Sequence, residues 1–387
     1  MAFRALARVS SVVVGLAWLA APAAAQIATG PAPQRVADIY VTSPAGVEIT
    51  SFVTGLEAPW SLVFLPDGRA VVSERPGRLR LIVAGQLRAA PLATFDVVAR
   101  GEGGLMGLAV HPQFPREPFL YAMLTARTAG GGINRVVRLR LAGDAASIDR
   151  VVVDAIPAGV NHNGGRIAFG PDGMLYVGTG EIFQRAFAQD HGNLGGKILR
   201  VAADGTVPPD NPTPGSPVYS LGHRNVQGLA WHPETRELFS SEHGPSGEGG
   251  LSAHDEVNVG RAGGNFGWPI VAGAPNRPGL IDPLAAWPDT TTPPGGIAFW
   301  RGDLMVATLR SQALLRISIA RDGTTWRTTR IERWFVAQRG AAGAFGRLRD
   351  AVVGPDGALY VLTTNRDGRG SPRPGDDRIL RLVAARG

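Results

Sequence analysis

One pattern recurs six times along this chain: a short apolar run, a tight turn, and a second apolar run. It stands at Ser61 (SLVFLPDGRAVVSE), Gly107, Arg166 (RIAFGPDGMLYVGTGE), Gly228, Gly296 and Asp350 (DAVVGPDGALYVLTT), with starts 46, 59, 62, 68 and 54 residues apart. Each copy reads as two strands of four to six residues joined by Pro-Asp-Gly or an equivalent turn, in which proline presets one dihedral and glycine supplies the left-handed one. Intervening segments such as 79–88 (LRLIVAGQLR) and 135–143 (RVVRLRLAG) alternate polar and apolar residues as outer strands do. No stretch sustains a helical period. Six irregular copies at this spacing predict an all-β fold, a six-bladed β-propeller of four-stranded antiparallel sheets. A pair of β-sandwich domains is the rival architecture, but the repeat does not break mid-chain and no linker interrupts it. The segment 208–217 reads as an insertion loop inside one blade.

The organisation expected is a signal peptide over 1–25, an extension over 26–39 and one propeller domain over 40–387. Arg4 and Arg8 precede an apolar run from Val12 to Ala20, and small residues lead up to Gln26. That is the secretory pattern, and the run is too short to span a bilayer. A cleaved, exported product, periplasmic or secreted, is expected. Gly 52 and Pro 30 of 387 residues mark a turn-rich folded chain, and 44% hydrophobic residues supply a core. The absence of cysteine excludes disulfides, thiolate metal sites and thiol nucleophiles. The net charge of +7 is carried almost wholly by arginine, since Lys197 is the only lysine. The arginines are scattered through strand-like segments with no basic run interleaved with aromatics, which argues against a nucleic-acid partner. A small polyanionic ligand fits better, because the guanidinium fork matches carboxylates bidentately.

In a propeller, loops leaving the inner strands converge around the channel mouth, so the residues flanking each repeat are the place to look for chemistry. The richest stretch, from Leu221 to Pro269, packs His223, Arg224, Asn225, Glu242, His243, Asp255 and Glu256 among glycines. Glycine lets backbone groups approach a ligand closely, and charges of both signs suit a charged ligand, with or without a metal. His162 enters the third repeat and Glu181 leaves it, a carboxylate able to fix an imidazole tautomer. Glu102 precedes the second repeat. Arg347 and Arg349, two apart, share one face of a strand before the sixth and repel unless an anion lies between them.

These blocks, in this order, resemble the soluble quinoprotein aldose sugar dehydrogenases of the glucose/sorbosone dehydrogenase family. The likeness covers roughly residues 50–383. It rests on GLxxPWSL, GEGGLMGLAVHPQF, NHNGGRIAFGPDG, LGHRNVQGLAW, SEHGPSGEGG with HDEVN and GGNFGWP, and GRLRD followed by GPDGALYVLT. The resemblance implies a pyrroloquinoline quinone (PQQ) cofactor with Ca²⁺, and oxidation of an aldose at its anomeric hydroxyl to the lactone. His162 would be the general base and Glu181 its acidic partner. Arg224, Asn225, Arg347 and Arg349 would hold the cofactor, with Glu102 lining its pocket. Gly244 and Pro245 would offer carbonyls to the metal, and Asp255 would support that loop. An external acceptor, a quinone or cytochrome, would take the electrons, and the protein would be a monomer or homodimer without nucleic-acid partner or membrane span.

Two positions depart from the family pattern. Where members carry a lysine on the fifth blade's inner strand, the nearest residue here is Arg310, which keeps charge but not shape. Gln184 only loosely matches a glutamine found after the acidic partner. The loops 184–193 and 290–295 are short, which suits broad aldose acceptance, and Trp287 is either a sugar-stacking face or core. Two alternatives remain at this stage: a calcium-dependent propeller lactonase or esterase, which does not need the arginines, and a non-catalytic ligand-binding propeller.

Overall fold

The structure, a computed structural model, describes Met1 and residues 26–385. The expected leader lies almost wholly outside these residues. The chain builds six antiparallel blades around a central channel. Their inner strands are Pro59–Phe64, Leu105–Val110, Ile167–Phe169, Val226–Trp231, Pro294–Trp300 and Leu348–Val353. Consecutive inner strands touch, and the sixth touches the first, so the ring is closed. Each sequence repeat is therefore the two innermost strands of one blade. The described residues contain no α-helix, only two short 3₁₀ turns at Arg185–Ala188 and Glu248–Gly250.

The turns behave as their residues dictate. In the Pro-Asp-Gly turns of blades 1, 3 and 6 the aspartate oxygen accepts the amide two residues on: Asp67 from Arg69 at 3.0 Å, Asp172 from Met174 and Asp356 from Ala358, each at 3.1 Å. Gly68, Gly173 and Gly357 take φ of 86°, 77° and 74°, where a Cβ would strain the backbone.

Strand alternation then assembles the core. Val71 faces blade 2 while Val72 faces blade 6, and Leu304 and Val306 face blade 4 while Met305 and Ala307 face blade 6. Each gap between neighbouring blades is filled in this way by its own apolar layer. Fully burying one such side chain stabilises by about 1.5–3 kcal/mol. A propeller must also close its ring. Here Val47–Thr54 supplies the outer strand of blade 6, pairing Ile379 with Val53 and Leu382 with Ile49. The extension adds Asp38–Val41, parallel to the outer strand of blade 5, and Ala28–Thr29, parallel to Val271–Ala272. Segment 208–217 lies between the third and fourth strands of blade 3. No helix among the described residues is long and apolar enough to cross a membrane.

Candidate active site

The channel is plugged low down by a buried ion pair. Arg166 at the start of blade 3 donates to Asp350 of blade 6 at 2.9 Å, to Ser61 of blade 1 at 3.3 Å and to the Gln227 carbonyl of blade 4 at 2.9 Å. Its guanidinium also lies 4.5 Å from the centre of the Trp60 ring. Four blades are thus tied through one side chain, and the loops above rest on a rigid floor.

Above it, residues from blades 2 to 6 converge. Glu102 precedes the inner strand of blade 2, His162 that of blade 3, Arg224 and Asn225 that of blade 4, and Arg347 that of blade 6. Glu181, His243, Arg310 and Asp367 follow the second strands of blades 3, 4, 5 and 6. A cavity of about 360 Å³ opens among Glu102, His162, Pro245, Asp255, Arg310 and Arg347.

His162 and Glu181 are in contact, Nδ1 to Oε1 at 2.5 Å, and both are buried. The carboxylate can only accept, so Nδ1 carries the proton and Nε2 keeps its lone pair. The second Glu181 oxygen, also buried, has no hydrogen-bond partner. His162 holds a left-handed φ of 56°. Its backbone amide donates to Glu102 Oε2 at 2.8 Å, which fixes the imidazole over the cavity. The Phe183 ring lies 3.9 Å from it, centre to centre.

Glu102 is the hub. It also pairs with Arg369 at 2.9 Å and lies 3.4 Å from Asn225 Nδ2. Burial pushes its carboxyl up, but the His243 and His162 rings whenever they are protonated, the Arg369 guanidinium and the His162 amide outweigh this and hold it at about 2. His243 is held neutral, since burial drives it down to about 3. Its Nε2 donates to the Pro294 carbonyl at 2.8 Å, which leaves Nδ1 as an acceptor facing Asn225. Asn225 Oδ1 in turn accepts from Gly164 and Gln227 at 2.9 and 3.0 Å.

The arginines are not equivalent. Arg347 forks onto Asp367, with Nε and Nη2 each at 2.9 Å, and Arg224 onto Glu248 at 2.9 and 2.6 Å. Arg349 is buried and touches no carboxylate among the described residues; its Nη1 donates to Gln227 Oε1 at 2.9 Å. Burial lowers its guanidinium to about 10, with Arg347 and Arg166 adding to the effect against Asp367 and Glu102. A buried cation so poorly compensated is a receptor for an anion.

The loop after the second strand of blade 4 is held by Asp255. One carboxylate oxygen takes the Gly244 amide at 3.0 Å and the other the Thr292 amide at 2.6 Å, while burial raises the carboxyl to about 6. With each oxygen holding a backbone amide, Asp255 braces the loop at the cavity wall. A Cβ on Gly244 would lie 2.2 Å from the Ala253 and His254 carbonyl oxygens, so only glycine allows the approach.

One sequence expectation needs correction, and two left open are resolved. Arg310 stands on no inner strand: it is exposed in the turn after Asp303–Thr308, because that strand ends two residues earlier. Trp287 lies buried in the outer strand of blade 4, packed in the layer toward blade 5, and presents no stacking face. The face shared by Arg347 and Arg349 already carries an anion, Asp367. Sequence reasoning missed Asp367, Arg369, Glu248 and Phe183. The signal available for Asp367 and Arg369 was the charged, glycine-rich turn from Asn365 to Gly370, at the position in its repeat that Glu181 holds in the third.

The chain matches the glucose/sorbosone dehydrogenase family over residues 56–381. It is 32% identical to the aldose sugar dehydrogenase YliI of Escherichia coli, over 84% of this chain and 92% of that protein. Among solved structures, it is similar to an oxidoreductase (glucose dehydrogenase) from Thermus thermophilus, with 56% identity, a TM-score of 0.82, and 87% and 100% of the two chains covered. It is also similar to the PQQ-bound aldose sugar dehydrogenase of Streptomyces coelicolor, with 40% identity, a TM-score of 0.77, and 88% and 99% covered. Matched along nearly the whole propeller, the chain belongs to the glucose/sorbosone dehydrogenase family.

Proposed function

We propose that this protein is an exported, PQQ- and Ca²⁺-dependent dehydrogenase that oxidises the anomeric hydroxyl of aldoses to the lactone and passes electrons to an external acceptor. The observation that carries the reading is the buried Arg349, short of a counter-ion and beside Arg347, at a mouth that also holds the His162–Glu181 pair. A flat tricarboxylate fits a cavity whose walls offer guanidinium groups on blades 5 and 6 and a braced glycine loop on blade 4. Arg347, Arg349 and Arg224 would hold the quinone's carboxylates and carbonyls, assisted by Asn225 and Arg310. Gly244 and Pro245 would give oxygen ligands to calcium, a hard cation that favours them. Bound there, the cofactor would supply the two-electron acceptor that no side chain can provide.

The remaining chemistry belongs to the chain. His162 Nε2 takes the proton of the anomeric hydroxyl as hydride leaves the same carbon. Glu181 keeps Nδ1–H in place and offsets the positive charge that then develops on the ring. Glu102 orients His162 through its backbone amide. The aldose sugar dehydrogenases among the relatives, matched over 92% and 99% of their length, support this reading over a lactonase or a silent propeller.

Dye-linked oxidation of an aldose panel by purified protein, with and without PQQ and Ca²⁺, tests it. Turnover should need both additions, and His162→Ala should lower it about 10²–10⁴-fold. Turnover indifferent to the quinone would overturn the reading.

A further inference from the structure

We infer that Arg333 is a positioning residue: held by Asp38 of the N-terminal extension, it fixes the Gly244–Pro245 loop through Thr292 and Asp255, so that the extension sets how tightly this loop holds a divalent cation. The inference rests on the reading of Gly244 and Pro245 as metal ligands given above.

Arg333 stands on Thr325–Trp334, the outer strand of blade 5. An outer strand normally sends its long cations to water, yet Arg333 is 2% exposed. The extension is what covers it. Asp38–Val41 runs parallel to this strand with Tyr40 opposite Arg333. Ile331 N donates to the Ala37 carbonyl at 3.0 Å and Phe335 N to the Val41 carbonyl at 2.7 Å, which ties the pairing at both ends. That register sets Asp38 against the guanidinium, whose Nε donates to the two carboxylate oxygens at 2.8 and 3.0 Å. The Tyr40 and Trp287 ring centres lie 5.8 and 5.9 Å from the guanidinium carbon. A planar fork held in this way aims its remaining N–H groups in fixed directions.

One of those directions leads to the site. Arg333 Nη1 donates to Thr292 Oγ1 at 3.2 Å, and that hydroxyl donates to the Thr290 carbonyl at 3.1 Å, so the turn entering blade 5 is locked. Thr292, wholly buried, gives its amide to Asp255 Oδ2 at 2.6 Å, and Asp255 Oδ1 takes the Gly244 amide at 3.0 Å. An unbroken series of hydrogen bonds therefore runs from the extension to the Gly244 peptide. The start of the extension reaches the same loop from its other end. Ala28 N donates to the Ile270 carbonyl at 3.1 Å and Gly30 N to the Ala272 carbonyl at 2.8 Å. Ile27 joins the apolar cluster of Trp268 and Ala272 against which Leu251 packs, and the Trp268 ring centre lies 5.5 Å from the Arg224 guanidinium. No residue of the extension lines the cavity, so its influence runs through these contacts. Two carbonyls chelate a cation well only if their peptides are already turned toward it, since a loop that must be ordered on binding holds its ligand more weakly.

The test compares wild type, Asp38→Ala, Arg333→Met, the double variant and Arg316→Met. Ca²⁺ affinity is read at saturating PQQ against a chelating indicator, and deuterium uptake of peptide 243–255 is read in the apoprotein. Arg316 pairs with Asp303 at 2.6 Å on the same blade, so its loss controls for general loosening. Asp38→Ala and Arg333→Met should each raise the Ca²⁺ dissociation constant about tenfold and speed deuterium uptake, whereas Arg316→Met should do neither. The double variant should lose no more than Arg333→Met alone, because links in series are lost once. Asp38 keeps 34% exposure, so its alanine variant decides the matter even if Arg333→Met fails to fold. A dissociation constant within about twofold of wild type in Asp38→Ala, an equal rise in Arg316→Met, or additive losses in the double variant would overturn the inference and leave the Asp38–Arg333 pair a clasp for the extension. A wild type that takes up no Ca²⁺ would instead sink the metal reading of the loop, and unchanged deuterium uptake in Asp38→Ala would then overturn the brace as well.

Discussion

Replacing Glu181 by glutamine changes one atom and two properties. The carboxylate that accepts from His162 Nδ1 at 2.5 Å becomes an amide that can also donate. If it donates, Nδ1 becomes the acceptor, Nε2 carries the proton, and the base faces the substrate in the wrong tautomer. The substitution also removes the charge that offsets the imidazolium formed as the proton is taken. With charge centres about 4 Å apart and an effective dielectric near 20, that attraction is about 4 kcal/mol. At 1.36 kcal/mol per tenfold, the expected loss in kcat is about 10³-fold. Glutamine is isosteric, and the buried Glu181 oxygen without a partner already shows that the pocket tolerates an unpaired atom there. The fold should therefore persist. The assay is turnover at saturating aldose with PQQ and Ca²⁺, with quinone absorbance recorded to show that the cofactor still binds. A kcat within about threefold of wild type, with cofactor bound, would refute the base-and-partner assignment.

Other perturbations separate binding from stability. Arg349→Met should weaken PQQ at least about tenfold by absorbance titration yet leave the apoprotein's thermal midpoint unchanged or higher, because it removes a buried cation that no carboxylate contacts. Asp350→Asn should cost about 3–5 kcal/mol in denaturant unfolding by stranding Arg166, and Arg166→Met with Asp350→Leu should recover most of that. Burial lowers the Lys197 ammonium from 10.5 to about 8. Between those values the unfolded chain binds more protons than the folded one, so stability should rise with pH across about 8 to 10.5, by at most about 3 kcal/mol in all. Lys197→Met should flatten that rise, and an unaltered slope would show that the carbonyls of Phe187, Ala188 and Gly195, which accept from Nζ, already compensate the charge.

What the sequence determined by itself was local and periodic. Alternation sent Val71 and Val72 to opposite faces, Asp-Gly turns closed the hairpins, and six copies at blade spacing left little but a propeller to build. The same periodicity located His162 and Glu181 at the two ends of one repeat, from which a contact could be argued. Only the tertiary structure decided which charges meet. Ring closure by Val47–Thr54 brings the two ends of the chain into one sheet, and the channel then sets Arg369 of blade 6 against Glu102 of blade 2, 267 residues earlier. Arg347 and Arg349 look alike in GRLRD, yet one is neutralised by Asp367 and the other is left without a carboxylate. Pair energies depend on distance and burial, which sequence spacing does not encode once a chain is wound into a ring. Glu248 passed unnoticed for the same reason: in a glycine-rich turn it reads as a solvated acid, and only the fold sets it against Arg224.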